Sequence, residues 1–315
     1  MSRAPRPAVG VATDTGRVRD HNEDGYLVRP PLYAVADGMG GHAAGEVASR
    51  LALDSLRTSP LGAEVGREAV RRALTEANRV VFVSASEEGS SRGMGTTCAL
   101  LLLTDGEAHL GHVGDSRIYR LRAGSLSQLT RDHTVVGEMV ERGLITPAEA
   151  MTDDTRGYLT RALGGSARVE VDVQTVHVRP GDRYLLCSDG LSTMVPHERI
   201  EQILVAAQDP QTAADTLVNA ANDAGGEDNV TALVVDPVSL PAAVGRGGGR
   251  GRRMGAALLA LAIAVAIVGV AILVLLMGGL PQLAPGGTDT PGPVQSIPVA
   301  TDPPAPVPPL TTDGP

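Results

Sequence analysis

The chain has 315 residues, of which 43% are hydrophobic, so it is long enough to form one large domain or two small ones with a substantial core. All of its basic residues are Arg, and residues 1–240 carry more acidic than basic side chains, which argues against nonspecific binding to nucleic acid. Cys98 and Cys187 lie in separate apolar runs without the spacing of a metal site or disulfide, a pattern typical of free thiols in a reducing compartment.

The N-terminal region is predicted to be disordered over residues 1–8, and it contains no apolar targeting segment. Residues 9–15 read as the first strand, and a charged stretch from Arg19 to Asp24 follows. Glu23 and Asp24 are candidates to join a metal cluster directly or through water, and the guanidinium of Arg19 is suited to bind an oxyanion. An ordinary charged surface loop is the alternative.

The stretch Asp37-Gly38-Met39-Gly40-Gly41-His42 separates a short apolar run, residues 32–36, from an amphipathic helical pattern, residues 44–57. Its glycines allow the backbone to turn sharply and to approach a small ligand. An aspartate at the end of a strand, before such a turn, is well placed to hold a hard cation or a phosphate. A strand-turn-helix corner with a capping Asp remains the alternative.

A second helix is predicted over residues 64–84, where it would cover one face of a sheet. The apolar run 98–103 reads as a central strand, which returns through a turn as residues 108–113. Another hairpin follows over residues 116–129. Asp115 lies between the two hairpins and forms a second acidic corner at the end of a strand.

The middle of the chain is less regular. A helix is predicted over residues 134–142, a capping box begins at Thr146, and residues 153–157 have the composition of a polar, mobile flap. Alternating Val residues between 169 and 178 predict a strand, and the slip in their alternation predicts a β-bulge near Thr175.

Two further acidic corners follow. The apolar strand 183–187 ends in Asp189-Gly190, and Asp228-Asn229 precedes a last strand, residues 230–235. Between them, helices are predicted over residues 196–207 and 210–224.

The C-terminal part has a different composition. Residues 241–255 form a basic Gly/Arg linker, and residues 256–277 contain no charged side chain, a length that spans a hydrocarbon core of ~30 Å. Because Arg residues precede this run and none follow it closely, the positive-inside rule places the main domain, residues 9–240, in the cytoplasm. The Pro-rich tail, residues 278–315, would then be extracytoplasmic, and the chain a single-pass protein of the cell membrane.

Four acidic corners, at Asp37, Asp115, Asp189 and Asp228, each lie at an end of a strand-like run. If the strands form two packed sheets, these corners can converge at one edge. Oxygen ligands without nearby Cys or clustered His favour Mg²⁺ or Mn²⁺ over zinc. A pair of such ions can activate a water and stabilise an in-line phosphoryl displacement.

Six motifs in order resemble the bacterial branch of the metal-dependent, type 2C protein Ser/Thr phosphatases. They are R-x-x-N-E-D (19–24), D-G-M-G-G-H (37–42), G-M-G-T-T (93–97), V-G-D-S-R (113–117), C-S-D-G-L (187–191) and E-D-N-V-T (227–231). The resemblance covers about residues 9–236. It implies an α+β fold of two packed antiparallel β-sheets flanked by helices, a four-layer α-β-β-α sandwich, here followed by one transmembrane helix.

The resemblance also implies roles for single residues. Asp37 would bridge two metals, Gly38 would offer its carbonyl to the second, and Asp189 with Asp228 would complete the first. Asp115 with Asp189 would hold a third, looser metal, so two and possibly three Mn²⁺ or Mg²⁺ ions are expected. Arg19 would bind the substrate phosphate, and Glu23 and Asp24 would orient waters on the metals.

Two positions depart from the family pattern. Met39 stands where animal members have the His that is their proposed general acid, which leaves His42 as the nearest candidate and a structural His as its alternative. Gly157 stands at the flap position of a further third-metal ligand, so Asp153 or Asp154 would have to substitute, or the third metal would bind weakly.

The expected function is metal-dependent hydrolysis of phosphoserine and phosphothreonine on cytoplasmic proteins by a metal-activated water, reversing a transmembrane Ser/Thr kinase. A catalytically silent, membrane-anchored phosphoprotein-binding module is the first alternative, but such a relative would normally lack one of Asp37, Asp189 and Asp228. A metal-dependent phosphodiesterase acting on nucleic acid is the second, and the acidic main domain argues against it.

Overall fold

A computed structural model describes residues 7–40, 44–61, 63–86, 93–104, 106–150 and 152–237 of the chain. Its strands are, in chain order, β1 (Ala8–Asp14), β2 (Asp24–Arg29), β3 (Leu32–Met39), β4 (Gly95–Thr96), β5 (Cys98–Thr104), β6 (Glu107–Val113), β7 (Arg117–Arg122), β8 (Ser125–Gln128), β9 (Asp172–His177), β10 (Arg183–Cys187) and β11 (Val230–Asp236). Its helices are α1 (Ala44–Thr58), α2 (Arg67–Ser86), α3 (Val135–Glu141), α4 (Pro147–Ala150), α5 (Asp189–Met194), α6 (His197–Ala206) and α7 (Pro210–Asp223).

The strands form two antiparallel sheets. The first sheet has the order β1-β11-β10-β7-β8, and the second has the order β2-β3-β5-β6-β9, with β4 paired to β3. The central strands are apolar at nearly every position because both of their faces are buried.

Strand β3 contributes side chains to two hydrophobic clusters, one on each of its faces. Tyr33 and Val35 belong to the cluster between the sheets, whereas Leu32, Ala34 and Ala36 belong to the cluster beneath the helices. Side chains alternate between the faces of a strand, so every second residue packs in each cluster. Strand β10 alternates in the same way between the inter-sheet cluster and a third cluster.

Helices cover the outer face of each sheet. Helices α1 and α2 pack on the second sheet, and α5, α6 and α7 pack on the first. This arrangement confirms the predicted α+β fold with two packed antiparallel sheets between layers of helices.

Most predicted elements lie within two or three residues of the observed ones, but strands β2 and β4 were not predicted from the sequence, and two further corrections follow. The predicted bulge near Thr175 is wrong, because β9 pairs with β6 in an unbroken register from His112↔Asp172 to Glu107↔His177. The short helix α5, directly after β10, was not predicted from the sequence.

The N-terminal segment before residue 7, the linker, the apolar run 256–277 and the tail lie outside the described residues, as does His42. Within the described ranges, no helix is both long enough and apolar enough to span a bilayer.

Candidate functional site

Strand pairing places two carboxylates side by side. Asp24 begins β2 and lies opposite Asp37 near the end of β3. Asp37 continues the alternation of Tyr33 and Val35, so it lies on the strand face that is directed between the sheets. Residues directly opposite each other on paired strands share a face, and Asp24 therefore lies on that face as well.

Two hydroxyl groups from the other sheet hold Asp24. Its Oδ2 accepts hydrogen bonds from Ser188 Oγ at 2.6 Å and from Thr231 Oγ1 at 2.7 Å. Its Oδ1 is buried and has no hydrogen-bond partner among the residues that the structure describes. One oxygen of this carboxylate is thus fixed by the protein, and the other is available to a ligand.

Asp37 is positioned through its backbone by the G-M-G-T-T motif. Its N–H donates to Thr97 Oγ1 at 2.9 Å, and its carbonyl accepts from Thr96 Oγ1 and Thr97 N–H, each at 2.8 Å. The next residue, Gly38, passes so close to α1 that a Cβ there would lie 2.1 Å from Gly45 O. Only glycine fits this position without a shift of the backbone.

The residues that follow Asp189 and Asp228 pack closely against each other. Asp189 is the first residue of α5, and a Cβ on the following Gly190 would lie 2.1 Å from Asn229 O. The absence of a side chain at residue 190 therefore allows α5 to pack directly against the corner that carries Asp228.

Asn229 fastens the loop that carries Arg19 and Glu23. Its Oδ1 accepts from Glu23 N–H at 2.8 Å, and its Nδ2 donates to Thr15 O at 2.9 Å and His21 O at 2.8 Å. Arg19 Nη2 donates to Asp228 Oδ2 at 2.8 Å. The R-x-x-N-E-D and E-D-N-V-T motifs are thus in direct contact, although they lie near opposite ends of the domain's sequence.

Asp115 follows β6 and is 8% exposed. The preceding Gly114 has a φ of 105°, a left-handed conformation that favours glycine, and a Cβ there would lie 2.6 Å from the Thr97 side chain. Thr97 and Ser116 share a hydrogen bond of 2.6 Å between their hydroxyl oxygens. The Asp115 corner is therefore packed against the residues that hold Asp37.

Burial and mutual repulsion raise the pKa values of the clustered carboxylates. Burial, and then the charges of Asp189 and Asp228, raise the pKa of Asp24 to about 7, although the hydrogen bonds from Ser188 and Thr231 act in the opposite direction. Burial followed by repulsion from neighbouring Asp residues raises the pKa values of Asp37 and Asp115 well above the usual range. Burial and then the charge of Asp228 raise the pKa of Asp189. Glu23 also has a raised pKa, with burial as its main cause.

This donor set fits divalent cations. Five mutually repelling aspartates and the unpartnered Oδ1 of Asp24 supply oxygen ligands, the type that Mg²⁺ and Mn²⁺ prefer. No group of three acidic, His or Cys side chains in the described ranges is arranged to hold one ion alone. Mg²⁺-type ions usually keep several water ligands, so a few carboxylates with a backbone carbonyl suffice.

A cavity of about 880 Å³ opens beside these carboxylates. Arg19, Asp115, Asp189 and Asp228 line it, and so does the flap, defined here as residues 152–159, through Asp154, Arg156, Gly157 and Tyr158. The cavity is large enough for a phosphorylated side chain together with neighbouring peptide residues.

The structure brings all eight predicted site residues to one end of the two sheets. Asp24, Asp37, Asp115, Asp189 and Asp228 form the acidic cluster, Gly38 adjoins Asp37, and Arg19 and Glu23 are held beside it. At the flap, Asp154 lines the cavity, whereas Asp153 Oδ1 accepts from the N–H and hydroxyl of Thr155.

Sequence reasoning missed the residues that support the cluster. Ser188, Thr231, Thr97 and Asn229 hold the acidic residues in place, but no role was predicted for them. The available signal was their position inside the six motifs, where each is a polar residue next to an apolar strand.

Comparisons with known proteins agree with this geometry. A sequence model described as "Protein phosphatase 2C" matches residues 20–225. The serine/threonine phosphatase stp of Listeria monocytogenes is 40% identical over 235 residues, which cover 71% of this chain and 93% of that protein. The chain is also similar to crystal structures of the Mycobacterium tuberculosis serine/threonine phosphatase PstP, at 39% identity and a TM-score of 0.69 over 74% of this chain and 99% of the other.

A further crystal structure, of the PstP catalytic domain in complex with two manganese ions, is 40% identical, with a TM-score of 0.68 over 74% of this chain and 98% of the other. The matched family model spans more than half of the chain, and its range contains the acidic corners at residues 37, 115 and 189. The chain therefore belongs to the protein phosphatase 2C family.

Proposed function

We propose that this chain is a membrane-anchored phosphatase that removes phosphate from phosphoserine and phosphothreonine on cytoplasmic proteins and reverses the action of a transmembrane Ser/Thr kinase. Its membership of the family makes it a metal-dependent protein Ser/Thr phosphatase that uses Mn²⁺ or Mg²⁺. The observation that carries the proposal is the cluster of five mutually repelling aspartates beside an open cavity.

The proposed ligands follow from this cluster. Bound divalent ions supply an activated water and offset the charge of the phosphoryl group. Asp37 is the proposed bridge between two ions, and the other proposed ligands are the Gly38 carbonyl, Asp189 and Asp228, with Asp115 and Asp189 at a third, looser position.

The remaining site residues act on water and substrate. Asp24, held by Ser188 and Thr231, has one oxygen, Oδ1, without a hydrogen-bond partner among the described residues and, with Glu23, is proposed to orient water at the cluster. Arg19 is half exposed at the cavity and is proposed to bind the substrate phosphate. Met39 carries no titratable proton, so the group that protonates the leaving oxygen is not Met39.

Phosphate release from a phosphothreonine peptide tests the reaction. We expect turnover by the full chain with Mn²⁺ and none with EDTA, and we expect Asp37→Asn to abolish hydrolysis of both the peptide and p-nitrophenyl phosphate. Asp54→Asn, on the exposed face of α1, is the matched control and should retain activity. Retained Mn²⁺-dependent turnover in Asp37→Asn would refute the bridging role.

The proposed membrane anchor rests on the sequence. Residues 256–277 contain no charged side chain, follow a linker rich in Arg, and precede a Pro-rich tail. A phosphatase domain, a basic linker, a single span and a short outer tail together resemble phosphatases that oppose transmembrane Ser/Thr kinases. This arrangement would keep the enzyme in the same membrane as such a kinase.

Extraction of membranes at alkaline pH tests the anchor. We expect the full chain to remain in the membrane pellet and Ile267→Arg to shift into the soluble fraction, because a charge at the centre of a span costs about 2.5–3.5 kcal/mol. Thr288→Arg, in the proposed outer tail, is the control and should stay in the pellet. Release of the wild-type chain into the supernatant would contradict the anchor.

A further inference from the structure

The segment that follows β8 is hydrogen-bonded to the backbone just before Asp115 through a single residue, His133. His133 N–H donates to Gly114 O at 2.8 Å, and Gly114 N–H donates to His133 Nδ1 at 3.1 Å. Both polar groups of the Gly114 backbone are thus bound by His133, whose side chain is 2% exposed. Gly114 directly precedes Asp115, so its orientation sets that of the carboxylate.

The same segment holds the other side of the corner. Arg117 donates to both carboxylate oxygens of Asp132, at 3.0 Å from Nε to Oδ1 and 2.6 Å from Nη2 to Oδ2. Ile118 N–H donates to Thr130 Oγ1 at 3.1 Å. Asp115 therefore lies between two backbone points that residues 130–133 fix.

His133 is also bonded to the chain that leaves the flap. Thr160 N–H donates to the carbonyl of His133 at 2.8 Å, and Val135 N–H donates to the carbonyl of Tyr158 at 2.9 Å. Thr134 and Leu159 form a bridge between these bonds. Residues 133–135 thus contact both the Gly114 backbone beside Asp115 and the last residues of the flap, Tyr158 and Leu159.

The imidazole of His133 is held in one orientation. Because Nδ1 accepts from Gly114, the ring proton belongs on Nε2, which lies 3.2 Å from Asp172 Oδ2. Asp172 is fixed in turn by Arg161 Nη1 at 2.9 Å, and the ring of His112 packs with its centroid 4.7 Å away.

We propose that His133 is a positioning residue that couples the flap to the Asp115 corner, so that peptide bound against the flap and a cation bound at Asp115 favour each other. The inference rests on the proposed phosphatase function of the same site. Such coupling is reciprocal: ion binding at Asp115 should order the flap as much as peptide binding at the flap strengthens ion binding.

Two substitutions of His133 separate the proposed contact from a general packing role. In His133→Asn, the amide oxygen takes the place of Nδ1 and can still accept from Gly114 N–H. In His133→Gln, the polar group lies further out, near Nε2, and that bond is lost. His109→Asn is the control, because His109 is 5% exposed on β6, hydrogen-bonds to Thr175 and belongs to no part of the site.

The first measurement is Mn²⁺ activation of phosphopeptide hydrolysis. We expect His133→Gln to need about 10-fold or more Mn²⁺ for half-maximal rate, as is usual for residues that orient metal ligands. The Mn²⁺ concentration for half-maximal rate in His133→Asn and His109→Asn should stay within a few-fold of the wild-type value. Equal losses in the Asn and Gln variants of His133 would overturn the proposal.

The second measurement does not depend on activity. Trypsin cleaves after Arg156, which lies in the exposed flap, and we expect Mn²⁺ to slow this cleavage in the wild type and in His133→Asn but not in His133→Gln. Equal protection in both variants would refute the coupling.

If neither variant folds, hydrogen exchange in the wild-type protein tests the coupling. A phosphopeptide must then slow exchange at residues 114–116 as well as in the flap, and slowing in the flap alone would refute the coupling. A wild-type chain that binds Mn²⁺ but releases no phosphate would refute the proposed function, and the proteolysis result would still stand as a test of the coupling.

Discussion

Arg19 lines the cavity and is only weakly constrained by the protein. Its side chain is 53% exposed, and its ion pair with Asp228 is a single contact of 2.8 Å. Arg117, in contrast, donates to both oxygens of Asp132 and also to Tyr119. Arg19 can therefore exchange its present partner for a substrate phosphate more readily than Arg117 can.

Arg19→Ala should mainly weaken substrate binding, because it removes a charge-assisted contact to the phosphate that exists before the reaction begins. We expect the KM for a phosphothreonine peptide to rise about 10-fold, which corresponds to roughly 1.4 kcal/mol, with a smaller change in kcat. Steady-state kinetics with saturating Mn²⁺ measure both. Arg19→Lys keeps the positive charge but not the planar guanidinium, so its KM should lie between those of the wild type and Arg19→Ala. A fall in kcat at unchanged KM would contradict this role.

At the scale of residues, sequence predicted which acidic residues come together but not the residues that support them. The aspartates stand out because each is a charged residue at the end of an apolar run. The hydroxyls that hold Asp24 lie 164 and 207 residues away along the chain. Nothing local in the sequence links Ser188 or Thr231 to Asp24, because only the packing of two sheets brings them together.

Strand β3 and helix α1 pack closely against each other where Gly38 meets Gly45. A Cβ on Gly38 would lie 2.1 Å from Gly45 O and 2.7 Å from Glu23 O, and both of these are backbone atoms. Glu23 lies against the first turn of α1, where a carboxylate is favoured by the helix dipole. The close packing of strand, loop and helix fixes Asp37 and Glu23 relative to each other.

Gly38→Ala should therefore destabilise the protein, because neither backbone contact can be relieved by a side-chain rotation. Overpacking of this kind typically costs about 1–3 kcal/mol of the free energy of unfolding, and more where backbone must move. Urea unfolding without added metal measures the effect apart from metal binding. Gly157→Ala is the matched control, since a Cβ there meets no atom within 4 Å and the flap should accept it at no cost. Similar unfolding midpoints for the two variants would contradict the close approach.

At the scale of elements, periodicity predicted nearly every helix and strand, because the apolar runs are long and are separated by Gly, Asp and Pro. It failed where alternation changed for another reason. Val171 and Val173 pack in the cluster beneath the helices, whereas Val176 and Val178 pack against the cluster between the sheets, so the slip in the Val pattern marks a change of face rather than a bulge. Helix α5 is only six residues long, too short to show a helical period.

The whole molecule concentrates negative charge at one end of its two sheets. Cross-sheet hydrogen bonds from Ser188 and Thr231 to Asp24 join the sheets at that end, yet the neighbouring carboxylates repel one another. The arrangement that suits divalent cations is therefore a source of instability when no cation is bound. Stability and function of this domain are linked through the metal.

This linkage predicts how stability depends on pH and metal. The raised pKa values of Asp24, Asp37 and Asp115 mean that the folded protein binds more protons than the unfolded chain. Their contribution to the stability of the metal-free protein is thus fully present below about pH 4, the usual Asp pKa, and is lost as pH rises through about 7, the folded pKa of Asp24. Mn²⁺ competes with these protons, so its stabilising effect should grow over the same range.

Thermal and urea unfolding at pH 5.5 and pH 8, with EDTA or with Mn²⁺, test this link. At pH 8, Mn²⁺ at 100 times its Kd should add about 2.7 kcal/mol to the free energy of unfolding, and the gain should be smaller at pH 5.5. Asp189→Asn should be more stable than wild type in EDTA at pH 8, because it removes a repelling charge, and should gain less from Mn²⁺. Asp54→Asn should match wild type in both conditions. An equal gain from Mn²⁺ in Asp189→Asn and wild type would show that the acidic cluster is not where the stabilising ions bind.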